Sequence, residues 1–281
     1  MALPYAQQTV AFLTQHGKEA LIGPMLGQSL GCQVVRAEGF DTDRLGTFSG
    51  EVPRPDSQVQ TARRKARIGM DLLGTPLGLA SEGAFVPDPF GGLLPWNIEV
   101  LVWIDDGRGL EVTAIAQGPA RSLQRRVTRV DELLQWAGEA GFPEHHAMLR
   151  PEGVRQAAVR KGLHDVDALV SAFGACKAES PKGLVLAEND LRAFCNPTRQ
   201  RMIVRAAEDL IKQLQSACPA CQRPGYWVKE KVGGLPCRAC GLPTRLPRAL
   251  IWRCDGCGHQ SSEPAGNATH ADASRCDHCN P

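Results

Sequence analysis

A chain of 281 residues is long enough for about two domains of roughly 100–200 residues each. Its 43% hydrophobic and 22% charged residues supply a sizeable core and exclude a largely disordered protein. The net charge is only +2, 32 Lys and Arg against 30 Asp and Glu, which excludes a strongly basic nucleic-acid coat or a polybasic membrane binder but not a local basic patch. No apolar run of roughly 18 residues is present, so no membrane span is expected. The opening Met1-Ala2-Leu3-Pro4-Tyr5 has no positive n-region followed by an apolar h-region, so the expectation is a cytoplasmic protein without a signal peptide.

The first 120 residues read as strand and helix in alternation. Thr9–Thr14 is an apolar strand that empties into Gln15-His16-Gly17-Lys18-Glu19, and a helix follows to Leu30 with Pro24 near its start or at a kink. Cys32–Arg36 is a second strand. Residues 38–57, rich in Gly, Pro, Asp and Ser, form a loop long enough to suggest function. Ser57 is an N-cap for a helix to about Leu73. Pro76–Ser81 is a short strand ending at Glu82-Gly83. The runs Ile98–Ile104 and Leu110–Ala116 flank Asp105-Asp106-Gly107-Arg108-Gly109 as a hairpin. Thr128-Arg129-Val130-Asp131 resembles a capping box opening a helix through Ala140. A helix is expected over Val166–Lys177 and a strand over Leu184–Ala187. Asn196-Pro197 then caps a helix whose apolar positions Ile203, Ala206, Ala207, Leu210, Ile211 and Leu214 follow helical spacing.

Three features of this front region carry chemistry. A strand that runs into a Gly-containing turn and a helix N-terminus is an anion site, because backbone N–H groups and the helix dipole point at the ligand. Here Lys18 adds a full charge and Thr14 a hydroxyl, although the glycines and Lys-Ser/Thr of a Walker A loop are missing. Arg63, Arg64, Lys65 and Arg67 cluster on the next helix, either as a solvated face or as a surface for polyphosphate. Glu82, at a strand's carboxyl end, sits where open α/β sheets place metal-binding or general-base groups.

The order strand–Thr-x-x-Gly-Lys–helix, Gln60-Thr61-Ala62-Arg63-Arg64-Lys65-Ala66, and Leu77-Gly78-Leu79-Ala80-Ser81-Glu82-Gly83-Ala84-Phe85 resembles the inosine triphosphate pyrophosphatase-like superfamily over roughly residues 8–120. That resemblance implies that Thr14 and Lys18, with His16 and Gly17 in the turn, hold phosphates, that Lys65 supports them and that Glu82 binds Mg²⁺. His16 stands where asparagine is usual, and Gln60 replaces an acidic residue, so Glu38, Asp41 or Glu51 would have to complete the metal site. The whole chain also resembles a bacterial family known only as a domain of unknown function. That likeness rests on Glu188-Asn-Asp190-Leu-Arg192-Ala193, Asn196-Pro197-Thr198-Arg199 and the closing Cys276-Asp-His-Cys279-Asn280-Pro281. In the Glu188–Arg199 segment, Glu188 and Asp190 either complete a metal site, with Arg192 or Arg199 on phosphate, or form an ion-pair network. Asp41-Thr42-Asp43 reads as a turn, and the adjacent His145 and His146 do not suit one shared metal.

Only Cys32, Cys176 and Cys195 precede residue 218; the other eight of eleven cysteines form four Cys-x-x-Cys pairs in the last 64 residues. Cys218/Cys221 precede Cys237/Cys240, and Cys254/Cys257 precede Cys276/Cys279, at the spacing of two-knuckle zinc ribbons. Repetition in a Gly/Pro-rich tail argues against a redox motif, and the absent signal peptide against disulfides. Sequential pairing is preferred, with an interleaved arrangement as the alternative. Gly241 and Gly258, directly after second cysteines, suit a positive φ. His259, His270 and His278 are expected at the surface. The tail carries eight Lys or Arg against five Asp or Glu, and two Cys₄–Zn²⁺ centres bring its charge near −1. Tyr226, Trp227 and Trp252 are therefore expected to fill its small core rather than stack on bases.

The expectation is an α/β fold, a mixed sheet flanked by helices over residues 1–216, followed by a double zinc-ribbon module over 217–281 with two structural Zn²⁺. Its function is expected to be that of a Mg²⁺-dependent pyrophosphohydrolase or phosphatase acting on a nucleotide or other phosphorylated small molecule, including non-canonical nucleoside triphosphates. Magnesium would fall to Glu82, Glu38, Glu188 and Asp190; substrate would fall to Thr14, His16, Gly17, Lys18, Arg63, Lys65, Arg192 and Arg199. The alternative is a non-enzymatic adaptor whose ribbons contact protein or nucleic acid. Whether Thr14, Lys18, Arg63 and Glu82 meet in one cleft separates the two.

Overall fold

The structure, a computed structural model, describes residues 3–15, 17–42, 56–154 and 159–281. His16, Asp43 and Glu51 lie outside these residues, as does most of the 38–57 loop. No helix among the described residues is long and apolar enough to cross a membrane.

A five-stranded mixed sheet organises the first part of the chain. Its strands are β1 (Thr9–Leu13), β2 (Gln33–Ala37), β3 (Leu77–Pro87), β4 (Pro95–Asp105) and β5 (Leu110–Pro119), in the order β2-β1-β3-β4-β5. β1 pairs in parallel with β2 and β3, whereas β3, β4 and β5 form an antiparallel meander. Three helices cover it: α1 (Lys18–Leu30), α2 (Gln58–Leu73) and α5 (Pro197–Gln215). Strand alternation sorts them by face. Leu77, Leu79, Leu101 and Trp103 pack with Ile22, Leu26 and Leu30 of α1 and with Ile203, Ala206 and Leu210 of α5. Ala80, Val100, Val102 and Ile104 point the other way, onto Ala62, Ala66 and Met70 of α2. Ser57 caps α2 in a reciprocal box with Gln60, and Asn196 caps α5 ahead of Pro197, both as the residue types require.

The mixed sheet flanked by helices is thus as expected, with three corrections. β3 does not stop at Glu82-Gly83; it continues to Pro87, because Glu82–Pro87 pair residue by residue with Val100–Pro95 of β4. Glu82 is therefore in mid-strand. The helix α3 (Val130–Ala140) is capped at Arg129 rather than Thr128, with the Glu132 carboxylate accepting from the amides of both residues. Finally, residues between β5 and α5 build a second, antiparallel sheet, of which the sequence pattern announces one strand, expected over Leu184–Ala187. It comprises β6 (Gln124–Val127), β7 (Ala147–Pro151), β8 (Arg160–Leu163) and β9 (Val185–Asn189), ordered β6-β9-β7-β8. Its core joins Val127, Leu149 and Val185 to Leu133 and Trp136 of α3 and Leu169 and Phe173 of α4 (Val166–Glu179). After α5 the chain ends in a three-stranded antiparallel sheet, β10 (Trp227–Gly233), β11 (Pro247–Arg253) and β12 (Gln260–Pro264), that carries the cysteine-rich segments.

Candidate functional site

The helix after β1 lies on one face of the sheet and the helix after β2 on the other, so the carboxyl end of β1 is where the chain changes direction. Such switch points open a crevice for ligands in α/β sheets. Here β1 ends at Leu13, but its neighbour β3, in register through Phe12 opposite Leu79, runs on to Pro87. Ser81, Glu82 and Gly83 therefore extend past the end of β1, beside the start of α1. Gly17, at φ 67°, turns the chain into α1 and offers no side-chain cap, so the first amides of the helix have no side-chain acceptor from the N-cap.

Lys18 is the first residue of α1 and is only 6% exposed. Its Nζ donates to Ser81 Oγ at 3.1 Å and, at a longer 3.4 Å, to Ser81 O. No carboxylate among the described residues ion-pairs with it. Burial, reinforced by the nearby Arg199 charge and partly offset by Glu99 and Glu82, lowers the Lys18 pKa to about 8.

Two buried ion pairs flank this amine, one on each face. On the α2 face, Lys65 pairs with Glu82. On the α1/α5 face, Arg199 Nε donates to Glu99 Oε1 at 2.7 Å; Arg199 is 1% exposed and Glu99 not at all. Asn97 Nδ2 donates to the same oxygen at 3.0 Å, and Arg199 Nη1 reaches the Leu191 carbonyl at 2.6 Å. The pair fits because residue 83 is glycine: a Cβ there would sit 2.5 Å from Arg199 Nη2 and closer still to Glu99 Oε1. Among the described residues, three cations against two carboxylates leave one uncompensated positive charge here, on Lys18.

Thr14, Gly17, Lys18, Lys65, Glu82 and Arg199 thus gather at one end of the sheet, although the Glu82 and Lys18 side chains approach it from opposite faces. Arg63 does not join them; it forms a bidentate pair with Glu111 at 2.8 and 2.7 Å on the exposed side of α2. Arg64 and Arg67 are likewise held outside by Asp56 and Asp106. In the Glu188–Arg199 segment the ion-pair alternative is what the structure contains: Glu188 pairs with Arg150, and Asp190 with Arg192 while also accepting from the Gly162 amide. Burial opposes ionisation of Asp190, yet its hydrogen bonds from Arg192 and Gly162 leave its pKa lowered. Glu38 is 79% exposed beside Arg36. The carboxylates expected to share Mg²⁺ are thus dispersed and each engaged by a cation, and oxygen ligands for that ion must converge. Among the described residues, these carboxylates do not fit a protein-held magnesium site; Glu51 lies outside them.

Glu99, Asn97 and Ser81 are the members that sequence reasoning missed. The usable signal is Glu99 itself, a charged residue at an inward position of the apolar strand β4.

The eight tail cysteines form two groups, Cys218, Cys221, Cys254 and Cys257, and Cys237, Cys240, Cys276 and Cys279, with all ligand atoms in each within 4.8 Å of one another. The preferred sequential pairing is therefore wrong, and the interleaved one holds. The cause is the β10–β11 hairpin: β10 starts just after the first knuckle and β11 ends just before the third, with Trp227 opposite Arg253. The Cys237 and Ala271 segments pair in turn, Arg238 N donating to Ala271 O at 2.9 Å, which brings the second and fourth knuckles together. Closest cross-knuckle sulfurs lie 3.7 to 3.9 Å apart. Disulfides need about 2.05 Å, whereas a tetrahedron of sulfurs about 2.3 Å from zinc spaces them about 3.8 Å apart. Each knuckle closes with the same turn, such as Gly241 N to Cys237 O and Gly258 N to Cys254 O, and both glycines have the expected positive φ. Tyr226 and Trp252 pack beside the first group, as expected of core aromatics.

The family model described as Domain of unknown function (DUF6671) matches residues 65–281, and the chain belongs to that family. The match takes in Lys65, Glu82, Glu99, Arg199 and all eight tail cysteines. Among curated proteins, 4-hydroxy-2-oxovalerate aldolase 2 of Azoarcus sp. (strain BH72) is 23% identical over 225 residues, covering 74% of this chain and 58% of the relative. The chain therefore spans little more than half the length of that relative. The two cysteine groups are consistent with metal binding. Neither match carries the likeness to the inosine triphosphate pyrophosphatase-like superfamily.

Proposed function

We propose that this member of the family binds a phosphorylated small molecule, a nucleotide foremost, in the crevice at the carboxyl end of β1 and hydrolyses its phosphoanhydride or phosphate ester bond. The observation that carries this reading is Lys18: a buried cation with no carboxylate partner among the described residues, at a helix N-terminus without a side-chain cap. Leaving a charge buried and unpaired is costly, and an anionic ligand removes that cost. Lys18 and the first amides of α1 hold the phosphoryl oxygens. They stabilise the charge that builds as water adds to phosphorus and the leaving oxygen departs with the bonding electrons. Ser81 aims the amine, while Lys65 and Arg199 raise the local potential from the two faces. No step is assigned to a protein-held magnesium.

The tail holds two structural Zn²⁺ in this reading, because four thiolates at tetrahedral spacing suit that ion. Incubating the zinc-loaded full chain with standard and deaminated nucleoside triphosphates, and measuring phosphate and pyrophosphate release, tests the proposal. Release that Lys18→Ala abolishes is expected. No release from any nucleotide, or unchanged release by the variant, overturns it. Arg63, standing outside the crevice, favours the other reading, an adaptor that contacts protein or nucleic acid through its ribbons. Nucleic-acid binding that falls steeply with salt would support it.

A further inference from the structure

The crevice contains two complementary shortfalls. Lys18 has three N–H donors, and among the described residues its Nζ hydrogen bonds run only to the two oxygens of Ser81. Glu99 has the opposite deficit. Its Oε1 accepts from Arg199 and Asn97, but its buried Oε2 has no hydrogen-bond partner among the described residues. A buried carboxylate oxygen without a donor is unfavourable, as is a buried amine without a counter-ion. The two groups feel each other's charge, yet they do not bond. Arg199 fixes the other oxygen of Glu99, and the backbone of Gly83 closes in from β3, so the carboxylate is held in place.

One kind of ligand answers both deficits: a tetrahedral anion that offers oxygens to Lys18 and an acidic proton to Glu99. A protonated phosphoryl group has both. Sulfate has only acceptors at neutral pH and would set an oxygen lone pair against Oε2. We infer that Glu99 is a specificity-determining residue that selects a phosphoryl group bearing a P–OH over sulfate and other fully ionised tetrahedral anions. This rests on the phosphate reading of the crevice and narrows it. In a polyphosphate chain the terminal phosphoryl group carries the proton that titrates near neutrality, so that end of a nucleotide faces Glu99. Among the described residues, the other charged groups around Glu99 are Lys18 on α1, Lys65 on α2, Glu82 on β3 and Arg199 on α5. None of the four removes the demand of Oε2 for a proton.

Calorimetric titration of the zinc-loaded full chain with inorganic phosphate and with sulfate at pH 6.5 tests the inference. Phosphate is expected to bind at least about tenfold more tightly, a difference of about 1.4 kcal/mol. In Glu99→Gln the amide donates a hydrogen to sulfate, so sulfate affinity rises about tenfold and the preference collapses; a gain of binding does not arise from misfolding. Wild-type protein supplies a second measurement. Phenyl phosphate loses its last proton near a pKa of about 6, so its affinity falls between pH 5.5 and 7.5, whereas inorganic phosphate keeps a proton throughout and holds its affinity. Equal binding of phosphate and sulfate by the wild type overturns the inference and leaves the phosphate site standing. So does parallel pH behaviour of the two phosphates, or an unchanged preference in Glu99→Gln. Binding of neither anion overturns the phosphate site itself and the inference with it.

Discussion

Replacing Lys18 with methionine should make the protein more stable while destroying its anion site. Burial lowers the Lys18 pKa from 10.5 to about 8 in the folded chain. At about 1.4 kcal/mol per pH unit, that gap is a penalty of about 3 kcal/mol carried by the folded state wherever the amine is charged in both states. The penalty is complete below pH 8. It shrinks as pH rises from about 8 to 10.5, where the unfolded chain holds the proton and the folded chain has released it, and it is gone above that window. Wild-type stability should therefore gain over that interval relative to Lys18→Met, which has nothing to titrate. At pH 7 the variant, which also gives up the bond to Ser81, should exceed the wild type by about 2–3 kcal/mol. Urea denaturation of both proteins at pH 7, 8, 9 and 10 measures the difference, and phosphate titration measures the loss of binding. A variant less stable than wild type at pH 7, or a difference independent of pH, would refute the argument that Lys18 is an uncompensated buried cation.

Other outcomes follow from the same geometry. Because the cysteine groups are crossed, Cys221→Ser combined with Cys257→Ser should leave about one zinc per chain by metal analysis, and Cys221→Ser combined with Cys240→Ser about none; sequential pairing reverses the two results. Arg199→Met, which strands Glu99 in the interior, should cost about 3–5 kcal/mol in chemical denaturation. Gly83→Ala, which forces a methyl group against that pair, should cost about 1–3 kcal/mol, whereas Gly138→Ala, with nothing within 4 Å of the new carbon, should be neutral or stabilising. Arg63→Ala should leave phosphate affinity unchanged and alter stability by less than about 1 kcal/mol, since its pair with Glu111 lies at the surface.

Local signals were legible and non-local ones were not. The apolar run of β1, the Ser57 cap of α2 and the Asn196-Pro197 start of α5 each lie within a few consecutive residues, and the structure has all three. Of the second sheet only the strand over Leu184–Ala187 was legible; Gln124–Val127 and Arg160–Leu163 were missed because they are four-residue strands, three of those eight residues arginines and one a lysine, without alternation to mark them. Glycine 83 read as the end of a strand; its reason is instead the Arg199–Glu99 pair, whose members are 100 residues apart in the chain. For the site, Lys18, Lys65 and Glu82 could be named from neighbouring motifs, but the carboxylate that completes it could not. In the tail the ligands were plain from spacing, whereas their partnering is decided by a hairpin, and a hairpin's register is invisible in the spacing of cysteines.

The crossed metal centres also govern how the tail matures. Each ion, once seated, closes a loop that encloses one half of the other ion's ligands, so the first capture shortens the conformational search for the second. Under scarce metal, chains should then be found empty or doubly filled more often than independent sites would allow. The final sixty-odd residues would consequently switch as one unit, with partial occupancy a passing state on the way to either.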